Sequence, residues 1–213
     1  MTVPAVRTAR DVQRGRADGV LTAAGAVLLV LAALPVDRAR VDPAEAAVFR
    51  VVNDVAVLPF WLVWPAMQLG NLLVVPAAAV LAAGLRRWRL AAGILLAGVG
   101  TYLAAKGVKD LVVRGRPDGL LADVVVRGAD AHGRGFVSGH AAVAVALVAV
   151  AWPWLGPRAR LGCVALALTV CLARVHVGAH LPLDVAGGAG LGLAIAGGVR
   201  LLLGRRQDGS PRR

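Results

Sequence analysis

The sequence predicts an all-α fold: a polytopic membrane protein built as a bundle of six transmembrane helices. Three observations predict it. First, 58% of the 213 residues are hydrophobic and the mean hydropathy is +0.72. A soluble domain is nearer half apolar, so the excess must face lipid. Second, the net charge of +12 comes almost wholly from arginines, which cluster in short segments between apolar runs. Third, those runs have lengths close to the ~20 residues that a helix needs to cross a hydrocarbon core.

The elements follow in order. A basic N-terminal tail, residues 1–17 with Arg7, Arg10, Arg14 and Arg16, leads into an uncleaved first span over 19–35. A loop carrying both charge signs is expected over 37–50. Residues 51–85 hold one charged residue, Asp54, but Pro59, Pro65 and Gly70-Asn71 interrupt them. They read as an interfacial or re-entrant segment to about Gln68 and a second span over 70–85. Arg86, Arg87 and Arg89 close it, and the third span runs over 90–113. A polar, glycine-rich loop covers 114–137. The fourth span begins at Ser138 and ends near Trp152-Pro153-Trp154, the fifth covers 161–176, and the sixth begins near Pro182 and ends at Leu203. Thus 18–203 forms one membrane domain and 204–213 a second basic tail.

Six spans put both termini on one side. The arginines of the two tails, Arg86/Arg87/Arg89 and Arg158/Arg160 then share that side, which the positive-inside rule makes the cytoplasm. Two full spans within 51–85 would break the bias. Trp61, Trp88, Trp152 and Trp154 lie near span ends, as an aromatic belt requires. The same arrangement accounts for the basic charge without nucleic acid as a partner; the bilayer is the expected partner instead. Cys163 and Cys171, eight residues apart in one apolar run, suit neither a disulfide nor a metal site. Arg200 reads as a snorkelling anchor, His132 as a solvated loop residue and His176 as a packing residue at the end of the fifth span.

Three polar clusters remain, all at span edges on the extracytoplasmic face. They are Lys109-x6-Arg116-Pro117, Ser138-Gly139-His140, and Arg174-x5-His180-x3-Asp184. Ionisable groups at such depths are costly and mark function. Lysine supplies a point charge and arginine a planar, bidentate fork, the equipment for holding a phosphate. Pro117 keeps Arg116 out of a regular helix, so Lys109 projects from a helix end and Arg116 from the loop above it. Ser138 suits an N-cap, and Gly139 lets a backbone N–H approach an anion at a helix terminus. His180 just precedes the last span, with Asp184 one turn on. A carboxylate there can fix one ring nitrogen and leave the other free to attack.

These motifs resemble the type 2 phosphatidic acid phosphatase superfamily of integral membrane lipid phosphatases, whose pattern is K-x6-R-P, P-S-G-H and S-R-x5-H-x3-D. The resemblance runs from about residue 70 to 190 and includes Asp184-Val-Ala-Gly187. Val137 stands where proline is usual and Ala173 where serine is usual. The first change loosens loop geometry, and the second removes a possible phosphate hydrogen bond. The resemblance implies that His180 is the nucleophile, Asp184 its orienter and His140 the acid that protonates the leaving oxygen. Lys109, Arg116, Ser138, the Gly139 amide and Arg174 would hold the phosphate. It implies no metal and no cofactor.

The implied activity is metal-independent hydrolysis of a membrane lipid phosphate or diphosphate at an extracytoplasmic active site. Polyprenyl diphosphate, such as undecaprenyl diphosphate, is the first expectation; phosphatidylglycerophosphate or phosphatidic acid follows. A non-catalytic lipid-phosphate binder or transporter is the alternative of a different class. A vanadate haloperoxidase has a similar site but is soluble and larger.

Overall fold

The structure, a computed structural model, describes residues 9–55, 59–128 and 132–204, with side chains from residue 15 onward. In chain order the helices are α1 (Ala9–Ala33), α2 (Pro43–Asn53), α3 (Phe60–Gln68), α4 (Val74–Gly84), α5 (Trp88–Leu111) and α6 (Pro117–Leu120). Then come α7 (Gly139–Ala151), a 3-10 turn (Trp152–Trp154), α8 (Pro157–His176) and α9 (Pro182–Leu203), with no strand among the described residues. The first helix begins within the segment expected as a tail. Most of the C-terminal tail lies outside the described residues.

Among the described residues four helices are long and apolar enough to cross a membrane: α1 over Gly15–Ala33, α5, α8 and α9. Two more apolar runs form shorter helices, Val74–Gly84 and Gly139–Trp154. At 1.5 Å per residue the 11 residues of α4 rise only about 17 Å, roughly half a hydrocarbon core. Large apolar side chains such as Val27, Leu81, Leu103, Leu168 and Leu202 point outward, where lipid rather than water must meet them.

In lipid, helices gain little from burying apolar surface and pack instead through small residues that allow close backbone approach. Here α9 lies between α1 and α7. A side chain at Gly190 would strike the α1 backbone at Gly25 and Leu29, and one at Gly192 would strike α7 at Ala142 and Ala146. Alanines 79, 82, 91, 97, 146, 149 and 196 fill the core where α4, α5, α7 and α9 meet. This tight contact brings the N-termini of α7 and α9 beside the C-termini of α5 and α8.

Three expectations need correction. The span expected over 70–85 is helical only over Val74–Gly84. The segment 37–50 is not all loop, because α2 starts at Pro43. Asp42 caps it, accepting from the Ala44 and Glu45 amides at 2.9 and 3.4 Å. Arg200 is not a snorkelling anchor: its guanidinium pairs with buried Asp18 of α1 and donates to the Ala149 carbonyl at 3.3 Å. His176, by contrast, packs at the end of α8, buried, with Nδ1 3.2 Å from the Val52 carbonyl. Cys163 and Cys171 are free.

Candidate active site

The three polar clusters come from distant stretches of chain but meet at one end of the bundle. Lys109 stands in the last turn of α5. The chain then runs extended through Arg114 and Arg116 to Pro117, which starts the short α6. Ser138 caps α7, its Oγ accepting from the Ala141 amide at 3.5 Å. Gly139 and His140 form the first turn. Behind them the α3–α4 elbow at Gly70 packs directly on the backbone of His140.

His180 is placed by backbone hydrogen bonds. After α8 the chain turns at Gly178, whose φ of +76° suits glycine. The Ala179 and His180 amides then both donate to the Arg174 carbonyl, at 3.2 and 3.1 Å. Asp184, in the first turn of α9, accepts from the Leu181 amide at 2.9 Å. Its own carbonyl accepts from the Ser138 amide at 2.8 Å, which ties the third cluster to the second.

The imidazole of His180 is 3% exposed and has a carboxylate on one side and a guanidinium over it. Its Nδ1 lies 3.5 Å from Asp184 Oδ2, longer than a normal hydrogen bond but close enough to favour a proton on that nitrogen. Arg116 Nη1 lies 2.9 Å from Nε2 and 3.3 Å from Nδ1. A group on the in-plane lone pair of one ring nitrogen would be far from the other. The guanidinium therefore sits over the ring face and leaves the Nε2 lone pair unblocked. Burial foremost, then the charges of Arg116, Arg174 and Lys109 and the neighbouring His140, push His180 well below the ordinary histidine range. The ring is therefore neutral at neutral pH, the form that can attack.

Lys109 and Arg116 are held by carbonyls, and Arg174 faces the same imidazole. Lys109 Nζ donates to the Arg134 and Gly135 carbonyls at 2.8 and 3.3 Å. Arg116 donates to the carbonyls of Ala179, His132 and Gly133 at 2.7, 3.2 and 3.3 Å. Burial lowers the pKa of Arg116 from the usual arginine value. Arg174 reaches Met67 Sδ at 3.7 Å, and its Nε has no hydrogen-bond partner. Four positive or positively chargeable groups around one imidazole make a strong anion site. The structure thus brings together all eight predicted residues. His132 stays exposed, contributing only its carbonyl.

Two residues escaped the sequence reading. Arg114, 1% exposed, donates to Glu45 through both terminal nitrogens and to Asp184 Oδ1 at 3.0 Å. Glu45 Oε1 also accepts from the Leu183 amide at 2.9 Å. Burial works against the charge on Arg114, but Glu45 and Asp184 outweigh it and hold the group above the ordinary arginine range. Asp184 therefore uses one oxygen on Arg114 and the other on His180 and Leu181. Asp42-Pro43-x-Glu45 was a readable helix start, and it would have brought Glu45 to attention.

Residues 86–208 match the family model of the PAP2 superfamily. Two solved structures share the fold. LpxE of Aquifex aeolicus has a TM-score of 0.67 at 24% identity, covering 73% of this chain and 93% of that one. A transmembrane PAP2 type phosphatidylglycerolphosphate phosphatase from Bacillus subtilis has a TM-score of 0.58 at 20% identity, covering 91% and 95%. No curated protein matches the chain.

Proposed function

Because the chain belongs to the PAP2 superfamily and is a membrane lipid phosphatase, we propose that it hydrolyses a lipid phosphate or diphosphate without a metal, through a phosphohistidine on His180. The observation that carries this reading is the neutral, buried imidazole with Asp184 on Nδ1 and cations around its open Nε2.

The steps follow from that arrangement. Lys109, Arg116, Arg174 and the α7 N-terminus at Ser138-Gly139 bind the phosphate oxygens and offset the charge that builds on them. Exchange with the phosphate releases the carbonyls that Lys109 and Arg116 hold. His180 Nε2 attacks phosphorus and the P–O bond to the lipid breaks. His140, which takes up a proton as the bound phosphate's negative charge offsets the neighbouring arginines, gives it to the leaving oxygen. It then takes a proton from water, which attacks the phosphohistidine, and inorganic phosphate leaves. Asp184 keeps the Nδ1 proton in place and stabilises the charge on the ring.

The positive-inside distribution supports a six-span topology with both termini cytoplasmic and the site on the extracytoplasmic side. An apolar cavity of about 360 Å³ between α2, α3 and α8 is lined by Val52, Leu62, Val63, Leu172 and Ala173. Its wall includes Ala173, next to Arg174 in α8, and its apolar lining suits a lipid chain. Polyprenyl diphosphate is our first substrate, for which cleavage would release one phosphate and leave the lipid monophosphate. Phosphatidylglycerophosphate is the second, favoured by the name of the Bacillus subtilis neighbour.

The test is phosphate release by the purified protein from a panel of lipid phosphates, with and without chelator. Turnover that persists in chelator, acid-labile and alkali-stable labelling of the protein, and loss of both in His180→Ala are expected. Full activity in His180→Ala would overturn the mechanism.

A further inference from the structure

At the end of the bundle opposite His180, the helices α5, α7, α8 and α9 frame a second charged cavity. It is bounded by the N-termini of α5 and α8 and the C-termini of α7 and α9, and measures about 770 Å³. Arg86, Arg87, Arg89, Arg160 and Arg200 line it, and Asp18 is the only acid among the residues lining it. Asp18 is already engaged by Arg200. Among the described residues no carboxylate pairs with Arg86, Arg87 or Arg160.

The guanidinium groups are held rather than loose. Arg87 lies over Trp154 at 5.9 Å and Arg160 over Trp152 at 5.0 Å, and Arg160 Nε donates to the Trp152 carbonyl at 3.2 Å. Arg89 donates to the Leu203 and Gly204 carbonyls at the end of α9. Pre-positioned arginines match the forked geometry of a phosphate. The floor is apolar: Leu90, Val150 and Leu203. Exposed Trp88, Trp152 and Trp154 mark headgroup depth. Charge over an apolar floor at the ends of membrane helices fits a lipid better than a soluble anion.

We infer that this cavity binds the phosphate headgroup of an anionic phospholipid from the adjacent leaflet, as a structural site separate from catalysis. The inference stands on the arginine end alone and does not depend on the proposed chemistry at His180.

Thermal unfolding of the full chain in nonionic detergent tests it, with phosphatidylglycerol, phosphatidylcholine or inorganic phosphate added. Phosphatidylglycerol should raise the Tm and phosphatidylcholine should not; any rise with inorganic phosphate, which the His180 end can hold, should survive Arg87→Gln/Arg160→Gln. Arg87→Gln/Arg160→Gln should raise the half-saturating phosphatidylglycerol about tenfold or more, at roughly the surface-charge scale for two arginines. Arg160→Gln alone should give an intermediate change, so the result stands even if the double variant folds poorly. Arg158→Gln removes the same charge from an exposed position of α8 outside the cavity and should change nothing. Arg116→Gln, at the catalytic end, should keep the shift. An equal loss in Arg158→Gln would reduce the effect to bulk charge. A shift with inorganic phosphate that Arg87→Gln/Arg160→Gln removes, or loss of the phosphatidylglycerol shift in Arg116→Gln, would also overturn the site.

Discussion

The two ends of α5, α7, α8 and α9 carry similar charge and use it in opposite ways. At the His180 end, Arg114 is sealed at 1% exposure and meets Glu45 and Asp184 in a buried network. Arg116, Arg174 and Lys109 turn inward toward one imidazole. At the other end Arg86, Arg87 and Arg89 are exposed, with Arg87 over an indole and Arg89 on helix-end carbonyls. Burial and partners, rather than the number of arginines, decide what each end can do. A buried cation changes the proton affinity of its neighbours, whereas an exposed one is screened by water and salt.

The largest break in this comparison is His180→Ala. Removing the nucleophile should lower turnover by about a thousandfold or more, measured as phosphate release. Thermal stability should change little beside that, because the backbone turn at Arg174 that holds the position is untouched.

Arg116→Gln comes next, and its sharper readout is pH. His180 has its pKa depressed in the folded state from 6.5. Below 6.5 the unfolded chain takes up a proton on this residue before the folded one does. This residue's contribution to stability therefore falls as pH drops below that value. The acid limb of kcat/KM should lie below pH 6.5 for the same reason. Taking away the guanidinium over the ring removes one of the depressing charges. The limb should move up toward 6.5, while kcat/KM falls by roughly a hundredfold from lost phosphate binding. A limb that stays put would show that Arg116 does not act on His180.

Glu45→Gln should have a smaller effect. The amide can still accept from Leu183, but Arg114 loses its charged partner on that side. Asp184 is then Arg114's only charged partner and is drawn toward it and away from His180 Nδ1, and we expect kcat to drop about tenfold with KM nearly unchanged. A variant that only loosened packing would move stability and leave that split absent.

The parts of this molecule legible in the sequence were those fixed by chemistry at short range. Lys109, Arg116, Ser138, His140, Arg174, His180 and Asp184 stood out because ionisable residues at span edges have few structural excuses. Each of the six apolar runs became a helix for the same local reason. Glu45 and Arg114 were not legible as a pair, since they lie 69 residues apart and neither one alone announces a partner. Asp18 and Arg200 failed in the same way: each reads locally as an ordinary span-end charge. The short α4 was misjudged in length because its apolar run continues into the Gly70–Leu73 elbow, which folds toward His140 rather than extending the helix.

Asp18→Asn is the smallest expected effect on catalysis and the cleanest control for the comparison. Both Asp18 and Glu45 are buried acids that answer an arginine of a neighbouring segment. If burial of an ion pair were by itself what matters for turnover, the two substitutions would act alike. Asp18 contacts Arg200 on α9 some 16 residues from Asp184, about 24 Å along the helix, and this ion pair shares no member with the Glu45–Arg114–Asp184 network. Arg200 keeps its bond to the Ala149 carbonyl in the variant. A stability loss of about 1–3 kcal/mol is expected, seen as a lower Tm in detergent, with kcat/KM unchanged within about twofold. A tenfold fall in kcat/KM would mean that the two ends are coupled through α9, and the separation drawn between them would have to be abandoned.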